Sequence, residues 1–263
     1  MIYTNYQNWH SYVLSTILRG VPLLTYNQTH SISTPTIKSE EEYHYLMNLA
    51  GPGHIGKLFK LYVMIAKLRK ELEEADASDH KTRSALKDEF NALKDNINAW
   101  YITERPQFGQ VPSQCDPAKP VFPHLPLTSQ LFGPSFEFPS LYIARLYILY
   151  WIVLVLVEPW THRARTLTEA SQSTTSSQNT STYHEYFISK FYADQVCRPL
   201  PFCLQPKMKT WGIHVVIASV TQICKPYILL RRKSKFDWCL CAHDLISFPD
   251  LHPVHHMQMS TAS

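Results

Sequence analysis

The chain has 263 residues, of which 45% are hydrophobic and 17% are charged, a balance that excludes global disorder because it provides enough apolar surface for a sizeable core. The net charge of +4 is well below the charge density typical of a nucleic-acid-binding domain. Only 7 residues are glycine, which favours helices over a fold rich in tight β-turns.

The first 54 residues predict two helices and loops. An amphipathic segment at 9–19 is followed by a loop rich in Thr, Ser and Pro. Ser39 lies three residues before Glu42, which is the capping-box spacing. We therefore predict a helix that begins after Ser39, includes Leu46 and ends near Gly51.

Two stronger amphipathic helices are predicted next. In the first, at 55–75, apolar residues recur at steps of three and four and form one stripe. The second stripe consists of Leu86, Phe90, Leu93, Ile97 and Trp100. Because the link at 76–79 is short, we expect the two helices to fold back on each other as an antiparallel hairpin.

The segment at 106–139 contains eight prolines, which predicts an irregular connector because proline removes a backbone donor and disfavours helix before itself. The next segment, at 141–158, is the most apolar of the chain and predicts a central helix. Its expected core residues are Leu146, Leu149, Trp151, Ile152 and Leu156. Its uninterrupted apolar part is only 12 residues long, whereas a membrane span needs about 20. We interpret it as a core helix and keep a membrane anchor as the alternative.

The C-terminal part contains further predicted helices. The polar tract at 166–182 predicts a mobile surface loop, because it has nothing to bury. Helices are predicted at 183–197, 211–230 and 235–246, followed by a disordered tail at 248–263. The expected fold is therefore all-α, an irregular helical bundle packed around the apolar helix at 141–157.

Three stretches resemble the fungal-specific transcription factor domain, which follows the zinc-cluster DNA-binding region in fungal transcription factors. The stretch at 138–160 (FPSLYIARLYILYWIVLVLVEPW) resembles one helix of that domain. More specific is 192–227, where an Ala-Asp, a Cys, a Pro-Phe-Cys-Leu-Gln-Pro run and an apolar helix that starts with Gly follow in the family's order. The stretch at 235–239 resembles the family's closing Trp-Cys helix. The positions that carry the resemblance are Asp194, Cys197, Cys203, Gln205, Pro206, Gly212, Trp238 and Cys239.

The resemblance implies a regulatory domain at 55–247 that lies in the nucleus, or alternatively in the cytoplasm, and acts on transcription. Its implied partners are other transcription proteins or a small effector, with no cofactor and with membrane association not expected. The family's six-cysteine zinc cluster is not in this sequence, whose first cysteine is Cys115. We therefore expect no direct sequence-specific DNA binding.

Two groups of residues are candidates for a functional site, one for binding a metal ion and one for nuclear targeting or phosphate contact. Cys239, Cys241 and His243 are weak metal candidates, because thiolate and imidazole suit zinc but the spacing is not diagnostic. We therefore predict reduced thiols and no metal site. The basic run Arg231, Arg232, Lys233 and Lys235 predicts either a nuclear address or phosphate contact, or else a solvated cap at the negative end of a helix.

Catalytic motifs were also sought along the chain. The sequence contains no G-x-S-x-G elbow, no H-E-x-x-H and no Gly-rich phosphate loop. We therefore predict no catalytic residue and a function based on binding.

Overall fold

A computed structural model describes residues 37, 39–76, 79–108, 112–115, 128–170 and 181–247. In these ranges the architecture is all-α, as predicted, with one two-stranded antiparallel sheet. The predicted helix at 9–19 and the predicted tail at 248–263 lie outside the described residues.

The first three helices begin at residues that the sequence marks as caps or breakers. Helix α1 (Glu40–Leu49) starts after Ser39, whose Oγ accepts a hydrogen bond from the Glu42 N–H at 3.2 Å. Helix α2 (His54–Glu74) is followed by α3 (His80–Glu104). Lys57 at the start of α2 pairs with Glu104 at the end of α3, so the two helices are antiparallel as predicted.

The proline-rich segment is more regular than the sequence predicted. It contains a 3₁₀ turn (Arg105–Phe108), strand β1 (Ser113–Cys115), the short helix α4 (Thr128–Phe132) and strand β2 (Ser135–Glu137). The prediction of an irregular connector is therefore wrong for these parts. The reason is aromatic anchoring, since the segment buries a set of phenylalanines in the core: Phe108, Phe132, Phe136 and Phe138.

Helix α5 (Leu141–Ala170) is the central helix and packs against α2 and α3. It is 30 residues long and contains Pro159, so it continues well beyond the predicted end at 158. The prediction of a loop is wrong for 166–170. Leu167 packs on the core there and anchors this part of the polar tract. The Thr168 hydroxyl is satisfied within the helix, because it donates to the Ala164 carbonyl at 2.9 Å.

Four further helices complete the described chain, namely α6 (Ser181–Cys197), α7 (Leu200–Cys203), α8 (Lys209–Leu229) and α9 (Lys233–Ser247). Helices α6, α8 and α9 confirm the three predicted helices to within two residues at each end. Helix α6 packs against α5 and α8, and α9 packs against α8.

The core surrounds α5, and most of the expected core residues are buried there. Leu146, Trp151, Ile152 and Leu156 are at most 9% exposed. Leu149 is only half-buried, which corrects its predicted place. It shares the outer edge of α5 with Tyr142, seven residues earlier, which is 42% exposed.

The proline in the middle of α5 is compensated by another helix. Pro159 has no N–H to donate to the carbonyl four residues earlier, which belongs to Val155. That carbonyl instead accepts a hydrogen bond from the fully buried Ser189 hydroxyl of α6 at 3.0 Å. The contact satisfies a buried acceptor and ties α6 to the central helix.

Candidate functional site

A buried polar cluster joins α6, α8 and α9. Asp194 of α6, 9% exposed, accepts hydrogen bonds on Oδ1 from the Tyr227 hydroxyl at 2.9 Å and from Lys235 Nζ at 2.7 Å. Lys190 Nζ donates to its other oxygen at 2.6 Å. We call Lys190, Asp194, Tyr227 and Lys235 the Asp194 cluster. It connects three helices through one carboxylate, so removing that carboxylate leaves two ammonium groups without their partner.

Burial shifts the pKa of two members of the Asp194 cluster, Tyr227 and Lys235. It raises the pKa of Tyr227 well above its ordinary value, so the hydroxyl remains a donor across the physiological range. Burial also lowers the pKa of Lys235, and the hydrogen bond to Asp194 acts against that shift. The carboxylate is thus the group that keeps Lys235 charged in a partly buried position.

Three buried thiols surround the Asp194 cluster. Cys197 Sγ lies 3.9 Å from the Tyr227 hydroxyl, and the fully buried Cys239 lies beside Cys197 and Cys224. Burial raises the pKa of Cys239 well above its ordinary value. The thiolate, which is the nucleophile and metal ligand, is therefore disfavoured here. These cysteines fill the junction of α6, α8 and α9 as small apolar groups.

The weak metal candidates are not brought together. Cys239 is fully buried and Cys241 is exposed, because positions two apart on a helix do not share a face. His243 is half-buried. Among the described residues, no group of three or more His, Cys, Asp or Glu side chains is arranged to hold a metal ion.

The middle of the resembling stretch shapes the junction between α7 and α8. A Cβ on Gly212 would lie 1.8 Å from the Cys203 carbonyl oxygen, so only glycine permits this approach of the two helices. Burial raises the pKa of the Cys203 thiol to about 12. Gln205 donates to Glu137 at 3.0 Å and links the junction to β2, and Pro206 begins a 3₁₀ turn (Pro206–Met208).

Aromatic side chains of the proline-rich segment cover the same region. Trp238 is 2% exposed, and its ring meets the Phe132 ring edge-on at 5.2 Å. The Lys235 ammonium lies 5.2 Å from the centre of the same Phe132 ring. Arg198 donates to the Pro134 carbonyl at 2.6 Å and lies over the Phe136 ring. The connector thus caps the Asp194 cluster with aromatic rings.

Sequence reasoning missed part of this cluster. Tyr227 and Lys190 were not among the expected site residues, although Tyr227 closes the stretch that carries the resemblance. A tyrosine inside an otherwise apolar helix was the available signal, because a buried hydroxyl requires a hydrogen-bond partner. Lys190 carried no comparable signal, since lysine on a helix is ordinarily solvated.

The basic run is divided by the structure. Arg231 and Arg232 are exposed in the turn between α8 and α9, where Arg231 adopts a left-handed conformation (φ 52°), and Lys233 is exposed at the start of α9. Lys235, in contrast, is 17% exposed at its side chain and binds Asp194. It therefore does not share the outward position of the other three residues.

A shallow cleft lies where α5, α6 and α8 meet. Its cavity volume is about 30 Å³, far below the ~300–1,000 Å³ typical of ligand pockets. Both internal prolines, Pro159 and Pro226, line it together with Trp160 and Tyr186. The Lys225 ammonium lies 5.9 Å from the centre of the Tyr186 ring. The cleft combines aromatic walls with one positive charge.

A second buried carboxylate lies between α2 and α3. Glu104 binds Lys57 through Oε1, and its Oε2 lies 2.5 Å from His54 Nδ1, an ion-pair contact. The hydrogen bond from Lys57 is the main cause that lowers the pKa of Glu104, and the contact with His54 adds to it. Phe108 packs edge-on against the His54 ring at 5.2 Å. This group fastens the two ends of the helical hairpin.

Among the described helices, two are long and apolar enough to cross a membrane by length and composition, namely 29 residues of α5 (Leu141–Glu169) and 20 residues of α8 (Thr210–Leu229). In each, 67% of the most apolar window is buried inside the protein. Glu158 of α5 is also buried, and it pairs with Lys94 of α3 at 2.9 Å.

No protein-family model matches the chain, and neither a curated protein nor a solved structure matches it. The resemblance to the fungal-specific transcription factor domain therefore depends on the residues named above.

Proposed function

We propose that this chain is a regulatory or interaction domain, resembling that of fungal zinc-cluster transcription factors, that influences transcription without direct sequence-specific DNA binding. The observation that carries the proposal is the convergence of the resembling residues. Asp194, Cys197 and Cys239 come from two separate stretches and meet at one buried junction. If the chain has the fold of that domain, residues of the resembling stretches should pack against one another, and these three do.

Action through binding is supported by the state of the reactive side chains. Cys203 and Cys239 are fully buried, and burial raises the pKa of both thiols, so neither provides a nucleophile at neutral pH. The charged groups of the Asp194 cluster are occupied with one another. These side chains therefore stabilise the fold.

Partners in this proposal are other transcription proteins or a small effector. Contacts with proteins need apolar surface, and α6 exposes Phe187, Ile188 and Phe191 by 40–56%.

Nuclear residence is part of the proposal, with the cytoplasm as the alternative. Three consecutive basic side chains, Arg231, Arg232 and Lys233, are exposed, as a nuclear address requires. Lys235 is not included, because it is engaged by Asp194.

The alternative function is a membrane-associated helical protein anchored by α5. The length and apolar composition of α5 favour it. The buried pair of Glu158 and Lys94 argues against it, because an ionisable side chain inside hydrocarbon costs at least ~2.5 kcal/mol without a partner. In the helical bundle the same pair holds α3 against α5.

A tethering experiment tests the proposed function. The full chain is fused to an unrelated DNA-binding domain, and transcription of a reporter with that domain's operator is measured in fungal cells. We expect a clear change in reporter output with the fusion and none with the untethered chain. A matched control is Ile152→Asp, which places a lone carboxylate in the core and should abolish the effect. An unchanged reporter with a folded, nuclear fusion would contradict the proposal.

A further inference from the structure

The turn between α8 and α9 presents a serine directly after three basic residues. Ser234 is exposed, and so are Arg231, Arg232 and Lys233, which precede it without interruption. We propose that Ser234 is a phosphorylation site for a protein kinase whose substrate cleft is acidic. Such a cleft recognises basic side chains just before the target hydroxyl through charge complementarity.

The local backbone permits a kinase to reach Ser234. Residues 231 and 232 are not helical, and Ser234 lies in the first turn of α9, where N–H groups have no intrahelical partner. Extending residues 231–234 breaks four backbone hydrogen bonds. Arg231 and Arg232 donate two of them, to the carbonyls of Ile228 and Tyr227, and Lys235 and Phe236 donate the other two to the Arg232 carbonyl. Opening at a helix end has a low free energy compared with opening of the core.

The reaction is an ordinary phosphoryl transfer from ATP. The Ser234 oxygen forms a bond to the γ-phosphorus, and the bond between that phosphorus and the β–γ bridging oxygen breaks. ADP leaves, and the hydroxyl proton passes to a base of the kinase. The modified side chain carries a charge of about −1.5 to −2 at neutral pH.

The charges around Ser234 determine the consequence. The phosphate would lie near Arg231, Arg232 and Lys233 and offset most of their three positive charges. Asp237, three residues further along α9, pairs with Lys233 and already offsets one of these charges. A nuclear address made of this turn would lose its net positive charge. This consequence rests on the proposed nuclear function, whereas the modification itself does not.

The modification is tested with the purified, folded chain, ATP and a kinase that prefers basic residues two and three positions before its serine. We expect one phosphate per chain, assigned to Ser234 by peptide mass spectrometry, and none there in Ser234→Ala. Replacing both arginines, with Arg231→Asn and Arg232→Gln, should lower the initial rate by about tenfold or more, because two charge contacts are removed. Asparagine tolerates the left-handed backbone at 231.

Ser140 provides the matched control. It is also exposed and begins a helix, where it accepts a hydrogen bond from the Ile143 N–H, but no basic residue precedes it closely. Ser140→Ala should be phosphorylated at the wild-type rate. The assignment of Ser234 would be refuted if other serines were phosphorylated and Ser234 were not. It would also be refuted if the variant without the two arginines were phosphorylated at the wild-type rate.

The consequence for localisation has its own readout. Fluorescent fusions of Ser234→Asp and Ser234→Ala are compared in fungal cells, and we expect a several-fold lower nuclear fraction for Ser234→Asp. If the wild-type chain is phosphorylated at Ser234 but the two variants have equal nuclear fractions, the proposed effect on nuclear localisation is refuted. The phosphorylation site itself is not. Reporter output from the tethered chain is measured separately, so failure of the proposed function is recognised independently.

Discussion

The hydroxyl of Tyr227 allows a focused test of the Asp194 cluster. Tyr227→Phe removes the donor 2.9 Å from Asp194 and retains the ring, so no large cavity forms in this fully buried position. A hydrogen bond to a charged group contributes ~1.5–3 kcal/mol, and we expect the free energy of unfolding to fall by that amount. Urea denaturation followed by helical circular dichroism measures it, with the m-value unchanged.

A double-mutant cycle separates this hydrogen bond from general packing. Asp194→Ala alone should cost ~3–5 kcal/mol, because the partly buried Lys235 loses its partner. In that background Tyr227→Phe should cost much less, since its acceptor is already gone. A loss below about 0.5 kcal/mol for Tyr227→Phe, or equal losses in both backgrounds, would refute the view that this contact stabilises the junction.

Further predictions concern other parts of the fold. Gly212→Ala should lower the free energy of unfolding, measured by urea denaturation, by ~1–3 kcal/mol or more, because the new Cβ collides with a backbone carbonyl. Ser189→Ala should lower the free energy of unfolding by ~1–3 kcal/mol. In a Pro159→Ala background the same change should cost much less, because Pro159→Ala restores an N–H that can donate to the Val155 carbonyl. Equal costs in both backgrounds would contradict that assignment. Glu104 has a lowered pKa when folded, so its contribution is complete above the ordinary value of 4.5 and is lost as the pH falls through the folded value. Glu104→Gln should therefore flatten the acid side of the stability profile, and an unchanged profile would contradict this.

Helix positions were predictable where local signals were strong. The position of Ser39 three residues before Glu42 predicts the start of α1, and Ser39 caps that helix. The spacing of apolar residues from Leu86 to Trp100 predicts the buried face of α3, and these residues are buried. Nothing local indicated that α5 continues through Pro159. Its continuation depends on Ser189, thirty positions away, which satisfies the freed carbonyl. Such compensation is a tertiary contact, so the sequence pattern of α5 could not reveal it.

The candidate site was predictable only in part. The resemblance identified Asp194 and Cys239, but not Tyr227 and Lys190, which bind Asp194. Lys235 was grouped with its basic neighbours by sequence adjacency, whereas helix geometry turns it inward to Asp194. The prolines of the connector predict irregular structure, because each removes a backbone donor and disfavours helix before itself. Its buried phenylalanines, such as Phe132, order it by contacts with distant helices.

We infer that α5 is the buried core of the proposed regulatory domain and does not anchor the chain in a membrane. The most direct measurement is expression of the wild-type chain without detergent, followed by high-speed centrifugation and size-exclusion chromatography with circular dichroism. We expect monodisperse, helical protein in the supernatant, because most of α5 is covered by the surrounding helices. Recovery only in a carbonate-resistant membrane fraction would contradict it.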